Sequence, residues 1–232
     1  MATMGPEDRE QFARRAEERE PEREKSAKVV AGGSITEALC GAAAVVLAII
    51  GLAGTLSGVV ASVATIVFGV ALIAHGGAIA ARFRQLLQET APYEFDARAE
   101  LGGGMGAELI GGAAGIVLGI LALLGVGTGV LIPIAVIVYG GSILLGSGAT
   151  ADLSTLGARA AHQRFADIAR QATLAASGTQ ALVGVGSIVL GILALVGLDP
   201  VVLTLVALLA LGGAAVLSGT AVSSRMVAVV RR

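Results

Sequence analysis

Charge is missing from three long stretches of this chain. No Asp, Glu, Lys or Arg falls between Ala38 and Ala81, and none between Leu109 and Ala151. From Gln171 to Ser224 the single exception is Asp199. A bilayer core about 30 Å thick takes roughly 20 apolar residues per helix, so each stretch is long enough for two crossings. Each also breaks near its middle, at Gly54-Thr55-Leu56-Ser57-Gly58, at Gly125-Val126-Gly127-Thr128-Gly129 and at Gly197-Leu198-Asp199-Pro200. Glycine clusters and Asp-Pro are turn signals. Asp199 before Pro200 also reads as a helix N-cap and first helical position. The expectation is an all-α membrane protein of six transmembrane helices arranged as three tight hairpins. The spans fall near 35–53 and 57–80, 108–125 and 129–149, 180–197 and 200–222.

Composition agrees and excludes the main competitors. The 232 residues are 55% hydrophobic and 14% charged, against about 25% charged in an ordinary soluble domain. Soluble helices carry a polar face, whereas these segments are apolar or small all round. A net charge of −1 argues against nucleic acid as a partner, which selects distinctly basic surfaces. Cys40 is the only cysteine, so an intramolecular disulfide or a multi-cysteine zinc site is excluded. Gly102-Gly103-Gly104 is followed by no Gly-Lys-Ser/Thr and follows no strand, so it reads as a flexible joint rather than a phosphate loop. No catalytic, cofactor or metal site is expected, and the chain does not read as an enzyme. Trp is absent, which leaves Tyr93 and Tyr139 as the candidates for interfacial aromatic anchors.

Charge also sets the expected organisation and orientation. A charged N-terminal arm (1–33) precedes hairpin 1 (34–81). A connector (82–105), hairpin 2 (106–150), a second connector (151–178), hairpin 3 (179–224) and a basic tail (225–232) follow. Seven Lys/Arg lie in the arm, and Arg82, Arg84 and Arg98 lie between the first two hairpins. Arg159, Arg164 and Arg170 lie between the second and third, and Arg225, Arg231 and Arg232 follow the last span. With six crossings all four regions share one side, and the hairpin tips carry no Lys or Arg. The positive-inside rule then places both termini in the cytoplasm and the protein in the cytoplasmic (inner) membrane. The polar start of the chain lacks the short apolar core of a signal peptide. The connectors mix Phe83, Leu86 and Leu87, or Leu156, Phe165, Ile168 and Leu174, with their arginines. Both are expected as amphipathic helices on the cytoplasmic surface, while residues 6–28 read as an exposed docking arm.

The hairpins repeat. Ile116 through Leu123 recurs unchanged as Ile188 through Leu195, an offset of 72. Extending it aligns Glu108 with Gln180, Gly112 with Gly184 and Gly125 with Gly197. At an offset of 71 the first hairpin joins, with Glu37 on Glu108, Gly41 on Gly112 and Gly54 on Gly125. In the second helices Phe68-Gly69, Tyr139-Gly140 and Leu211-Gly212 coincide, as do His75, Gly146 and Ser218. A repeat of about 72 residues, always in the same orientation, implies a pseudo-threefold bundle with its axis along the membrane normal. The pattern of a helix ending in Leu-Gly-Ile-Leu-Ala-Leu, a short turn with Asp/Pro, and a second helix ending in Gly-Gly and small residues resembles the HdeD-type acid-resistance membrane proteins. Gly184 to Gly219 carries that resemblance most fully. It implies six spans in short hairpins and a stress-related role, while the charged arm and long connectors depart from that compact plan.

Two sets of residues stand out. Gly111, Gly115 and Gly119 repeat every four residues on one helical face, with Ala44 and Ala48, and Ser187 and Gly191, at the corresponding positions. Small residues at this spacing let backbones approach closely, either within the chain or along a homo-oligomer seam. Glu37, Glu108 and Gln180 share one repeat position. They read either as first-turn residues that complement the helix dipole or as a polar ring at the inner mouth of the bundle that binds a cation or shuttles protons. His75 is the candidate pH-sensitive group. Polar groups inside the spans are few: Ser62, Thr65, Ser142 and Thr204. The expected function is therefore a structural or accessory membrane protein, a scaffold or subunit of a membrane assembly. A small-solute or proton-linked channel or permease is the alternative. The expected partners are the lipid bilayer, further copies of the chain and a membrane complex reached through the N-terminal arm.

Overall fold

The computed structural model describes residues 32–89, 95–159 and 163–230. The docking arm over 6–28, Tyr93, His162 and the last two arginines lie outside the described residues. Every described element is a helix: α1 (Gly32–Leu52), α2 (Ser57–Glu89), α3 (Phe95–Leu123), α4 (Thr128–Arg159), α5 (Gln163–Leu195) and α6 (Pro200–Val230). Each contains a segment long and apolar enough to cross a bilayer, the architecture of an integral membrane protein.

The hairpin turns form where the glycine clusters predict them. Gly54, Gly125 and Gly197 adopt φ of +87°, +85° and +97°. This left-handed conformation closes a helix C-terminus at low cost only for glycine. In the second hairpin the Val126 amide donates to the Leu121 carbonyl and the Gly125 amide to the Ala122 carbonyl; Leu198 and Gly197 repeat the pattern on Leu193 and Ala194. The next helix starts at once. The carbonyls of Leu56, Gly127 and Asp199 accept its first amide bonds, and Pro200 opens α6. Ser57 and Thr128 donate their hydroxyls back to the carbonyls of Gly51 and Ala122, tying each turn to the helix before it.

Helices α2, α4 and α6 touch one another at the centre, α3 lies against α2 and α4, and α5 lies against α4 and α6. Helix α1 meets α2 where Gly33 faces Ala74 and Ala78, and meets α6 where Gly41 faces Gly212. Three glycine pairs set these crossings: Gly69 with Gly112, Gly140 with Gly184, and Gly212 with Gly41. In each pair a Cβ on one residue would come within 3 Å of the other's carbonyl oxygen. No other residue type permits this approach, which supplies the van der Waals contact that holds helices together in lipid.

The central helices bury stacked apolar layers, including Phe68, Tyr139 and Leu211, and above them Val136, Leu205 and Leu208. Phe68 and Tyr139 meet edge to face with ring centroids 5.0 Å apart. The Tyr139 hydroxyl donates to the Thr65 carbonyl at 2.7 Å, so this tyrosine is a core residue and not an interfacial anchor. The outward faces of α1, α3 and α5 present Leu39, Val46, Ile110, Val117, Leu182 and Val189. Such an exterior suits lipid and not water.

Two expectations about the connectors change. Residues 82–89 continue α2, and 95–105 form the start of α3, so Gly102-Gly103-Gly104 lies inside a helix instead of forming a joint. Likewise α4 runs on to Arg159 and α5 starts at Gln163. Glycine's helix penalty of about 1 kcal/mol per residue is small beside the cooperativity of a helix of 29 residues.

Candidate functional site

The predicted small-residue face serves packing inside the chain. Gly115 sits under the ring of Tyr139, Gly111 under Ser142, Gly119 against Ile66, and Gly191 against Ile137 and the Pro133 carbonyl. Ala44, Ala48 and Ser187 are fully buried. Ser62, Thr65, Ser142 and Thr204 each donate to the carbonyl four residues earlier. Their hydroxyls are thereby spent within their own helices.

The polar ring is different. Glu37 from α1, His75 from α2, Glu108 from α3, Gln180 from α5 and Ser218 from α6 line a single cavity of about 20 Å³. Ile143 adds a wall from α4, and Phe68, Leu72 and Leu211 contribute apolar surface. Five helices thus bring one polar side chain each to a common point. The point lies within two turns of the end of every contributing span.

Its geometry centres on His75. Nδ1 donates to Glu37 Oε2 at 2.8 Å, and Nε2 stands 3.7 Å from Glu108 Oε1. The other oxygen of Glu37, Oε1, accepts a hydrogen bond from the Ser218 hydroxyl. The carboxylates are 4% and 2% exposed at Glu37 and Glu108. Glu108 Oε2 and His75 Nε2 have no hydrogen-bond partner among the described residues. Gly146, at the repeat position of His75 and Ser218, leaves the space that the Glu108 carboxylate fills, because a Cβ there would overlap it.

This geometry separates the two readings of the ring. The dipole at a helix N-terminus acts over the first turn. Glu108 stands 13 residues beyond Phe95, the start of α3, about 20 Å along the axis, and Gln180 is deeper still in α5. A first-turn role is therefore ruled out for both. Ser218 and Gly146 were not singled out by the sequence as site residues. The signal that could have found them was their alignment with His75, one helix across from Glu37 and Glu108.

A buried carboxylate is costly unless paired and hydrogen-bonded. Glu37 is satisfied on both oxygens. Glu108 Oε2 has no hydrogen-bond partner among the described residues, and the imidazole Nε2 stands 3.7 Å from Oε1, just beyond hydrogen-bond reach. Such a cluster can hold a proton or a small cation and pass a proton between carboxylates through the imidazole, whose two nitrogens face the two acids. Among the described residues no group of His, Cys, Asp and Glu has the arrangement of a metal site. In comparisons with known proteins the chain matches no family model, no curated protein and no solved structure.

Proposed function

We propose that this protein is a proton-linked channel or permease of the cytoplasmic membrane. It is built from three hairpin repeats around a pseudo-threefold axis. The observation that carries this reading is His75 set between Glu37 and Glu108, buried within the membrane-spanning part of the bundle. The cluster lies near the span ends, but its carboxylates are buried by protein, and ionisable residues buried inside a helical bundle are expensive and often mark ion or proton pathways. The repeat reading is supported by the three glycine crossings, Gly69–Gly112, Gly140–Gly184 and Gly212–Gly41, which occupy corresponding positions and close the ring. The distribution of Lys and Arg supports cytoplasmic termini, which puts the cluster at the cytoplasmic mouth. An acid-stress role, as the resemblance to HdeD-type proteins implies, is compatible with a proton-binding centre.

The packed layers between this mouth and the hairpin tips favour a second reading, the structural or accessory protein docking through its N-terminal arm. Flux separates the two. The full chain is reconstituted into liposomes that enclose a pH-sensitive dye, and a pH step is applied. Flux above empty liposomes that disappears in Glu37→Gln and Glu108→Gln supports the permease, since an amide carries no proton at neutral pH. Absence of flux in the wild type leaves the scaffold.

A further inference from the structure

A second cavity, of about 10 Å³, lies at the tip end of the bundle. Ala61 of α2, Ile132 of α4 and Thr204 of α6 form its floor, and Gly58, Thr128, Gly129 and Pro200 at the starts of the same three helices complete it. The register ties it to the cavity of the charged cluster. On α2, Ala61 is followed at seven, eleven and fourteen residues by Phe68, Leu72 and His75, which line the cluster cavity. On α6, Thr204 is followed at the same spacings by Leu211, Ala215 and Ser218, which line it too. Residues so spaced share one stripe of an α-helix. One stripe on each helix thus borders both cavities, one at each end. The tip cavity has about the volume that one water needs. The oxygens of Thr128 and Thr204 keep acceptor lone pairs after donating to Ala122 and Pro200.

Between the cavities the stripe is shut. Ala61 to Phe68 and Thr204 to Leu211 are each about two helical turns, or about 10 Å. The intervening positions are Ala64 and Thr65 on α2, Val136 on α4, and Ala207 and Leu208 on α6, all with 0% exposure. The Thr65 hydroxyl donates to the Ala61 carbonyl, so these five side chains offer water no free donor. Val136 and Leu208 are the bulkiest of them. Such an apolar constriction conducts only when it wets. Cavities cost stability, and a core built only for packing gains nothing from one at each end of the same stripe.

We propose that the line where α2, α4 and α6 meet is a proton path, and that Val136 and Leu208 form its gate, closed in this structure. Protons pass between the tip cavity and the Glu37–His75–Glu108 cluster only when water enters between these two side chains. The proposal rests on the reading of that cluster as a proton site.

The test uses the full chain in liposomes enclosing a pH-sensitive dye, after melting in detergent has shown which variants fold. Leu208→Asn places a polar group in the gate and should raise proton flux by up to about tenfold, the worth of one hydrogen bond to a water there. Val136→Ala opens the gate without a polar group and should raise flux as well, which keeps the test alive if Leu208→Asn does not fold. Val117→Ala, on the outward face of α3, should change nothing. At Gly58 a Cβ meets only Thr128 Cγ2, at 3.9 Å, so Gly58→Leu has room to fill the tip cavity. It should lower wild-type flux and remove the gain of Leu208→Asn in the double variant. Wild-type flux that needs Glu108 but is unmoved by Leu208→Asn, Val136→Ala and Gly58→Leu overturns the path and leaves the proton site standing. Flux in the gate variants alone, blocked by Gly58→Leu, supports the path and removes the wild type as a permease. Flux in none of them overturns the path and leaves the scaffold.

Discussion

At the scale of single residues, the glycines divide into those that hold the bundle together and those that do not. Gly115 lies under a Tyr139 ring that its hydroxyl bond to Thr65 and its contact with Phe68 keep in place. A methyl group at 115 overlaps that ring, so Gly115→Ala should destabilise by about 1–3 kcal/mol, as overpacking does. Gly213, one residue beyond the Gly212 crossing, has nothing within reach of a Cβ. Gly213→Ala should be neutral or stabilise by about 0.5–1 kcal/mol through helix propensity. Thermal unfolding in detergent reads both, at about 2–4 °C per kcal/mol for a chain of this size. Equal melting of the two variants would mean that Tyr139 swings aside freely. A related substitution probes the site. Gly146→Ala places a methyl group in the space of the Glu108 carboxylate, so proton flux should fall at least as far as in Glu108→Gln. Wild-type flux in Gly146→Ala would show that the carboxylate position is not needed.

At the scale of the element, the three turns are built alike but not equally well. Gly127 holds its left-handed φ of +53° without a side chain, and Asp199 holds +39° with a residue type that tolerates this region. Leu56, at the corresponding place, holds +45° with a branched side chain exposed to 71%. Nothing packs on it to offset the strain. Leu56→Gly should therefore stabilise by about 1 kcal/mol, visible as a higher melting temperature; a lower one would mean the leucine side chain contributes contacts that outweigh its backbone cost. These turns and the spans they join were legible in the sequence, because charge-free length and glycine clusters act locally. The second span was expected at 57–80 and is found at Ser57–Ala81. The helical continuation through 95–105 was not legible, since three successive glycines argue against helix by propensity, and the cooperativity that overrides them belongs to the whole helix. The register of Glu37, Glu108 and Gln180 was legible from the repeat. Their partners were less so. Ser218 reaches Glu37 across 181 positions of sequence, a contact that exists only once α6 closes on α1, and in its own helix it is one small residue among many.

At the scale of the whole molecule, the proposed six crossings would put both chain ends, both connectors and the Glu37–His75–Glu108 cluster on the same side of the bilayer. The tips at Thr55, Val126 and Leu198 would lie on the other side. The arginine distribution favours a cytoplasmic first side, at a bias that acts on residues flanking the spans. In the proposed orientation the centre would open toward the cytoplasm and equilibrate with cytoplasmic pH, and protons from outside would reach it only if the packed layer of Phe68, Tyr139 and Leu211 rearranged. Single-cysteine labelling in a Cys40→Ala background tests the arrangement with a membrane-impermeant maleimide on intact cells. Thr55→Cys and Leu198→Cys should label from outside. Arg159→Cys should label only after the membrane is opened. External labelling at 159 together with protection at both tips would invert the protein and place the cluster at the external mouth, where it would sense the outside pH directly. Labelling at one tip and not the other would break the six-span arrangement itself. The ring of five helices around the cluster would then lose a member, because Glu37 and Ser218 reach it from the first and last spans, and these meet only if every intervening hairpin returns to the same side.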